Sequence, residues 1–134
     1  MPEHYLDDLN PAQRLTVTHG DGPLLIVAGA GTGKTQTLSC RVAHLIEQGI
    51  DPQRILLLTF TRRAAAEMVR RAGHLIEADT TSKVWGGTFH AISNRLLRIY
   101  GKSLGLDNAF TIMDAADRYA DMNANDVSKD IGCP

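Results

Sequence analysis

Eight consecutive residues, Ala28-Gly29-Ala30-Gly31-Thr32-Gly33-Lys34-Thr35, combine three glycines with a lysine and a threonine. Their order fits the phosphate-loop pattern G-x-x-x-x-G-K-[ST], except that Ala28 stands where the first glycine belongs. Glycines let the backbone turn so that successive N–H groups face inward and meet phosphate oxygens unobstructed. A helix opening at Gly33 adds free N–H groups and the positive end of its dipole. Lys34 would bring a compact cation to the β- and γ-phosphates, and Thr35 a hydroxyl to Mg²⁺. A plain glycine turn would instead leave Lys34 at a helix start, where a cation is unfavourable unless an anion neutralises it. The pattern predicts nucleotide phosphate binding. It does not choose among the kinases, GTPases, transporters and motors that share the loop.

The elements around the loop must hold it in place. Asn10-Pro11 opens a short helix, with Asn as cap, Pro at the first helical position and Gln13 where a capping box wants Glu or Gln. After a turn through Gly20, Gly22 and Pro23, the apolar residues 24–28 read as a short, fully buried strand. A helix is expected from Gly33 to about Gln48, with Leu38, Val42, Leu45 and Ile46 on one face and Gly49 as its stop. Asp51-Pro52 turns the chain into a second strand, residues 55–61. A helix over about residues 63–76 follows, its inward stripe being Ala65, Met68, Val69, Ala72, Leu75 and Ile76. Val84-Trp85 leads into a third strand. The next helix begins near His90, with Ile92, Leu96, Ile99 and Tyr100 at helical spacing. Residues 110–113 read as extended, and Asp114 would cap a last helix with Asp117 in its first turn. Alternating apolar strands and amphipathic helices predict an α/β fold with a parallel sheet covered on both faces.

Bulk properties narrow the class. The chain has 134 residues, a net charge of −1 and two cysteines, Cys40 and Cys133, at no zinc or redox spacing. They read as free thiols of a reducing compartment such as the cytoplasm. No stretch approaches the ~18 apolar residues of a membrane span, and the acidic N-terminus lacks a signal-peptide layout. The five histidines are scattered away from carboxylates and cysteines, which speaks against a metal cage. Residues 62–102 carry eight Arg and Lys against Glu67, Glu77 and Asp79, whereas residues 103–134 carry six aspartates against Arg118 and Lys129. The basic middle is either a polyanion surface or a set of solvated helix faces, and charge alone favours the latter.

Four segments occur in a telling order: Leu9-Asn10-Pro11-Ala12-Gln13, the phosphate loop, Leu58-Thr59-Phe60-Thr61-Arg62-Arg63 running into Ala64–Met68, and Gly87-Thr88-Phe89-His90. Together they resemble the amino-terminal part of the UvrD/Rep/PcrA helicases of superfamily 1. The resemblance implies a P-loop, RecA-like sheet flanked by helices, incomplete at its C-terminus. Residues 1–109 would belong to the motor-lobe core and 110–134 to the start of an inserted helical subdomain. It also implies ATP and Mg²⁺ as cofactors, single-stranded and duplex DNA as partners, and the rest of the helicase as a missing partner. Residues Ala28 through Gln36 would hold the nucleotide, with Lys34 and Thr35 catalytic. In that family the glutamine matching Gln13 reads the adenine edge, for which its paired donor and acceptor are suited. Thr59, Phe60, Thr61, Arg62, Arg63, Thr88 and His90 would contact DNA. There an aromatic at a strand exit can stack on a base and hydroxyls can reach phosphates.

Bland roles compete at several positions. Gln13 can serve only the capping box. Phe60 can be core, and for Phe89 the spacing with Ile92 and Leu96 favours core. His90 can cap its helix or touch DNA. The chain also departs from the family pattern: Arg62-Arg63 replaces Asn-Lys, and Gln36 stands where relatives carry an arginine near the adenine. No Asp-Glu pair occurs in the sequence to complete Mg²⁺ coordination and activate water. The expectation is a segment that binds nucleotide without hydrolysing it. The rivals are a small-molecule phosphotransferase and a stand-alone nucleotide or single-strand binding module.

Overall fold

Residues 4–31, 33–77 and 79–112 are described by a computed structural model. Thr32, Cys133 and the helix expected after Asp114 lie outside them. The chain divides into two compact units, Met1–Arg95 and Leu96–Pro134.

The first unit opens with a one-turn helix, α1 (His4–Asp7), and continues into α2 (Pro11–Thr18). The expected capping box is formed: the Asn10 side chain accepts the Gln13 N–H at 2.9 Å, and Gln13 Oε1 accepts the Asn10 N–H at 3.0 Å. The helix after the glycine loop, α3 (Lys34–Glu47), ends as predicted at Gly49, whose φ of 88° is the left-handed conformation a helix stop wants. Asp51 then caps a 3₁₀ turn, Pro52–Arg54, that leads into β1 (Leu56–Thr59). Helix α4 (Arg62–Ile76) returns the chain to β2 (Trp85–Thr88), and α5 (Phe89–Tyr100) follows without a break.

β1 and β2 pair in parallel, in the register Leu56↔Trp85, Leu57↔Gly86, Leu58↔Gly87 and Thr59↔Thr88. Helix α4 supplies the crossover that parallel pairing requires. Its buried residues, Ala65, Met68 and Ala72, lie on the predicted stripe. Met68 and Ala72 join Cys40, Val42 and Ala43 of α3, Leu57 of β1, Tyr5 and Leu6 of α1, Val17 of α2, and Leu9 between those two helices in one core. Tyr5 also donates a hydrogen bond from its hydroxyl to the Glu47 carboxylate, tying α1 to the end of α3. Between β2 and α4 the approach is close. A Cβ added at Gly86 would stand 3.0 Å from a Val69 methyl.

Two expectations are corrected. Residues 24–28 belong to no strand, and the sheet of the described residues has two strands rather than three. Leu25 and Val27 are 87% and 90% exposed, while Leu24 and Ile26 are about half as open at 43% and 41%. Alternate residues thus face outward, as in an extended chain, but a strand needs a neighbour to complete its ladder, and the described residues supply none. The described residues also cover the sheet on one face only, burying Leu57 and Thr59 while Leu56 is half exposed.

In the second unit, the end of α5 runs into a 3₁₀ turn, Gly101–Leu104, closed by Gly105. Leu106 N–H returns to the Gly101 carbonyl at 3.0 Å. Arg98 donates to the Asn108 carbonyl and lies 4.9 Å over the Phe110 ring. Leu96, Ile99 and Tyr100 are exposed in varying degree, so of the expected α5 stripe only Ile92 is buried. Residues 110–112 carry no regular structure.

Candidate nucleotide and single-strand sites

The glycine loop enters α3 through two left-handed residues, Gly31 with φ 74° and Gly33 with φ 79°. A Cβ would be strained at both. Gly33 is the N-cap of α3 and offers no side-chain cap, and no acidic residue occupies the first turn. The first N–H groups of α3 thus have no side-chain cap, and beside them stands Lys34, an exposed cation without an ion pair among the described residues. That donor set fits an anion. Thr37 turns inward, its hydroxyl donating to the Gly33 carbonyl at 2.9 Å and stiffening the first turn.

A cleft of about 530 Å³ runs between α2 and the loop, and Asn10, Gln13, Thr16, Ala28, Gly29 and Lys34 line it. Gln13 stands at the seam. Its Oε1 is engaged in the capping box, and its Nε2 lies 2.9 Å from where a Cβ on Gly33 would be. The cap and a place beside the loop thus coexist in one side chain. Ala30 and Gly31 are exposed, and Thr35 is partly buried with its carbonyl accepting from Ser39. Gln36 lies elsewhere, in a shallow depression with Arg71 and His74 of α4.

A second set of residues meets at the exit of the two strands. Parallel register sets Thr59 beside Thr88, so the Thr59-Phe60-Thr61 and Thr88-Phe89-His90 segments leave the sheet side by side. Phe60 is 94% exposed, and its ring centroid lies 6.3 Å from that of Phe89 at a 50° tilt. Phe89 is itself half exposed, which overturns its expected place in the core. The hydroxyls have local partners. Thr59 donates to the Thr61 carbonyl at 2.8 Å, Thr61 caps α4 through Ala64 N–H, and Thr88 accepts from Ala91 N–H at 3.2 Å. Thr88, not His90, therefore caps α5, and His90 is exposed in its first turn.

Arg62 and Arg63 are exposed in the first turn of α4 and make no ion pair among the described residues. Two cations at a helix N-terminus are unfavourable unless an anion lies nearby. Farther along α4 the basic character is partly neutralised. Glu67 accepts from Arg70 at 2.7 Å and from Arg71 at 3.0 Å, and these bonds, Arg70's first, hold its carboxyl down at about 2. Arg95 lies 3.9 Å over the Trp85 ring, a cation–π contact within the first unit. Sequence reasoning favoured core for Phe89, although a signal for its exposure was available: Thr59-Phe60 and Thr88-Phe89 are the same dipeptide at paired strand ends.

Comparison with known proteins agrees with this arrangement of motifs. The UvrD/REP helicase N-terminal domain family matches residues 9–131. The chain is 44% identical over 115 residues to the ATP-dependent DNA helicase PcrA of Leuconostoc citreum, covering 85% of this chain and 15% of that protein. It is 44% identical over 119 residues to a probable DNA helicase II homolog of Rickettsia conorii, covering 87% and 18%. It is 43% identical over 133 residues to the ATP-dependent DNA helicase UvrD1 of Mycobacterium bovis, covering 96% and 17%. The chain spans less than a fifth of the length of these relatives. By the extent of the family match and the order of its motifs, the chain belongs to the UvrD/REP helicase N-terminal domain family.

Proposed function

We propose that this chain is the nucleotide-binding, strand-gripping segment of the first motor lobe of an ATP-dependent DNA helicase. The parent protein would couple ATP hydrolysis to movement along single-stranded DNA and to opening of duplexes. The fold would be the P-loop, RecA-like sheet, with residues 1–109 in its core and 110–134 beginning an inserted subdomain. Ala28 through Gly33 would wrap the phosphates, Lys34 would neutralise them, Thr35 would ligate Mg²⁺, and Gln13 would meet the base. At the other site, Phe60 would stack on a base, while Thr59, Thr61, Arg62, Arg63, Thr88 and His90 would surround the backbone.

One observation carries the reading beyond a generic phosphate loop. Parallel register brings two aromatic segments, separated by a whole helix in sequence, to one exposed edge. A phosphotransferase for small molecules has no use for a solvent-facing phenylalanine pair, whereas stacking on an unpaired strand does. Without an Asp-Glu pair in the sequence, the chain lacks the acidic motif that would complete the metal site and orient water, so the segment alone would bind and not turn over.

The test is ATP hydrolysis by the 134-residue chain with and without a single-stranded oligonucleotide, alongside binding of both. The expected result is binding of each ligand with no turnover. DNA-stimulated hydrolysis would refute the division of labour, and failure of Lys34→Ala to weaken Mg-ATP binding would remove the phosphate-loop assignment.

A further inference from the structure

One side chain joins the two walls of the nucleotide cleft and belongs to no motif. Arg41 lies two turns into α3, and its Nη1 donates to three main-chain carbonyls: Thr16 at 3.0 Å, Val17 at 3.1 Å and His19 at 3.0 Å. These are carbonyls at the end of α2 and just past it. A helix leaves its last carbonyls without intrahelical partners, and its C-terminus attracts a cation, so one guanidinium answers both needs. Among the described residues Arg41 makes no ion pair, and its charge is spent on this helix end alone.

Helix α2 depends on such help. It has eight residues, roughly 12 Å, too short to persist by its own propensity. Val17 is its one buried residue. Its N-terminus is set by the Asn10–Gln13 box and its C-terminus by Arg41, which comes from the helix that the phosphate loop opens. Gln13, in turn, reaches back over Gly33 at the start of that same helix. Loop, α3, Arg41, α2 and Gln13 form a closed circuit, in which Val17 packs α2 into the core and Arg41 ties its end to the helix that carries the loop.

We propose that Arg41 is a positioning residue for nucleobase recognition, holding α2 against α3 so that Gln13 stands at the base end of the phosphate loop. This rests on the nucleotide reading above. Arg41 does not touch the nucleotide itself. Its removal lets α2 drift, which separates the base contact from the phosphate contacts while leaving the latter intact.

The experiment compares Mg-ATP with Mg-tripolyphosphate on the 134-residue chain by calorimetry. Arg41→Met is expected to weaken ATP binding about fivefold to tenfold, the weight of one or two ordinary hydrogen bonds, and to leave tripolyphosphate unchanged. Gln13→Ala should show the same selective loss, and the double variant no more than either alone. Equal losses for both ligands, or additive losses in the double variant, would overturn the proposal. A second readout needs no ligand. The Gln13 side-chain NH₂ signal in an NMR spectrum should move to that of a solvated glutamine in Arg41→Met, and an unmoved signal would equally overturn it. If the unaltered chain binds neither ligand, the nucleotide reading fails, and the Gln13 signal still decides the role of Arg41. Should Arg41→Met not fold, Arg41→Lys, which keeps the cation but shortens its reach, carries the same comparisons.

Discussion

The two candidate sites are built to different degrees. At the strand exit, everything that positions Phe60 and Phe89 is present: a two-strand parallel ladder, a crossover helix capped by Thr61 and a second helix capped by Thr88. At the glycine loop, the downstream side is firm, because α3 is packed in the core, but the upstream residues 24–27 carry no regular structure and have no ladder partner among the described residues. The first site is a finished local unit. The second is held from one side, by α3 and by α2 through Arg41 and Gln13. Local sequence is enough to complete a β–α–β turn, whereas the strand before a phosphate loop needs neighbours that the described residues do not provide.

Five substitutions would break or sharpen this contrast. The largest effect is expected from Lys34→Ala, which should weaken Mg-ATP binding by at least about tenfold in calorimetry while leaving single-strand affinity alone. Equal loss of both would mean that the sites are not separate. Phe60→Ala should weaken an oligonucleotide by about fivefold to a hundredfold in fluorescence anisotropy, as loss of one stacked base implies. Its melting temperature should hold, since the ring is 94% exposed. Thr61→Ala removes the cap of α4 and should cost about 0.5–2 kcal/mol in denaturant unfolding. The same change at Asn10 should instead appear as local exchange in α2, because that helix is anchored at few points.

The smallest effect concerns Glu67. Its bonds to Arg70 and Arg71 lower its pKa from 4.5 to about 2. A depressed folded value means that its contribution is full above pH 4.5 and is lost as pH falls from there towards 2. Glu67→Gln should flatten that part of the acid-unfolding curve slightly, and raised salt should shrink the difference, because the pair is exposed. Equal acid sensitivity of the two proteins would show that the pairing contributes nothing.

Much of the scaffold could be read from residue order because its signals are local. Asn10-Pro11 with Gln13 marked a capping box, Gly49 marked a helix stop, and the Ala65–Met68–Ala72 spacing marked the buried side of α4. Residues 24–28 misled because apolar character announces a wish to be buried and says nothing about who pairs with whom. Phe89 misled for a different reason. At the first turn of α5 no preceding turn covers the residue, so helical spacing with the buried Ile92 was not enough to bury it. Helix α1 is too short for any periodicity to show, although Tyr5 and Leu6 are among its core residues. Arg41 was illegible in principle, since its partners are carbonyls, which every residue has.

Gly86 has a mechanical consequence. Because nothing projects from that point of β2, the Val69 methyl settles into a notch, 3.0 Å from where a side chain would begin. Any side chain there would have to displace that methyl, so the seating of α4 on the strand depends on this position staying bare.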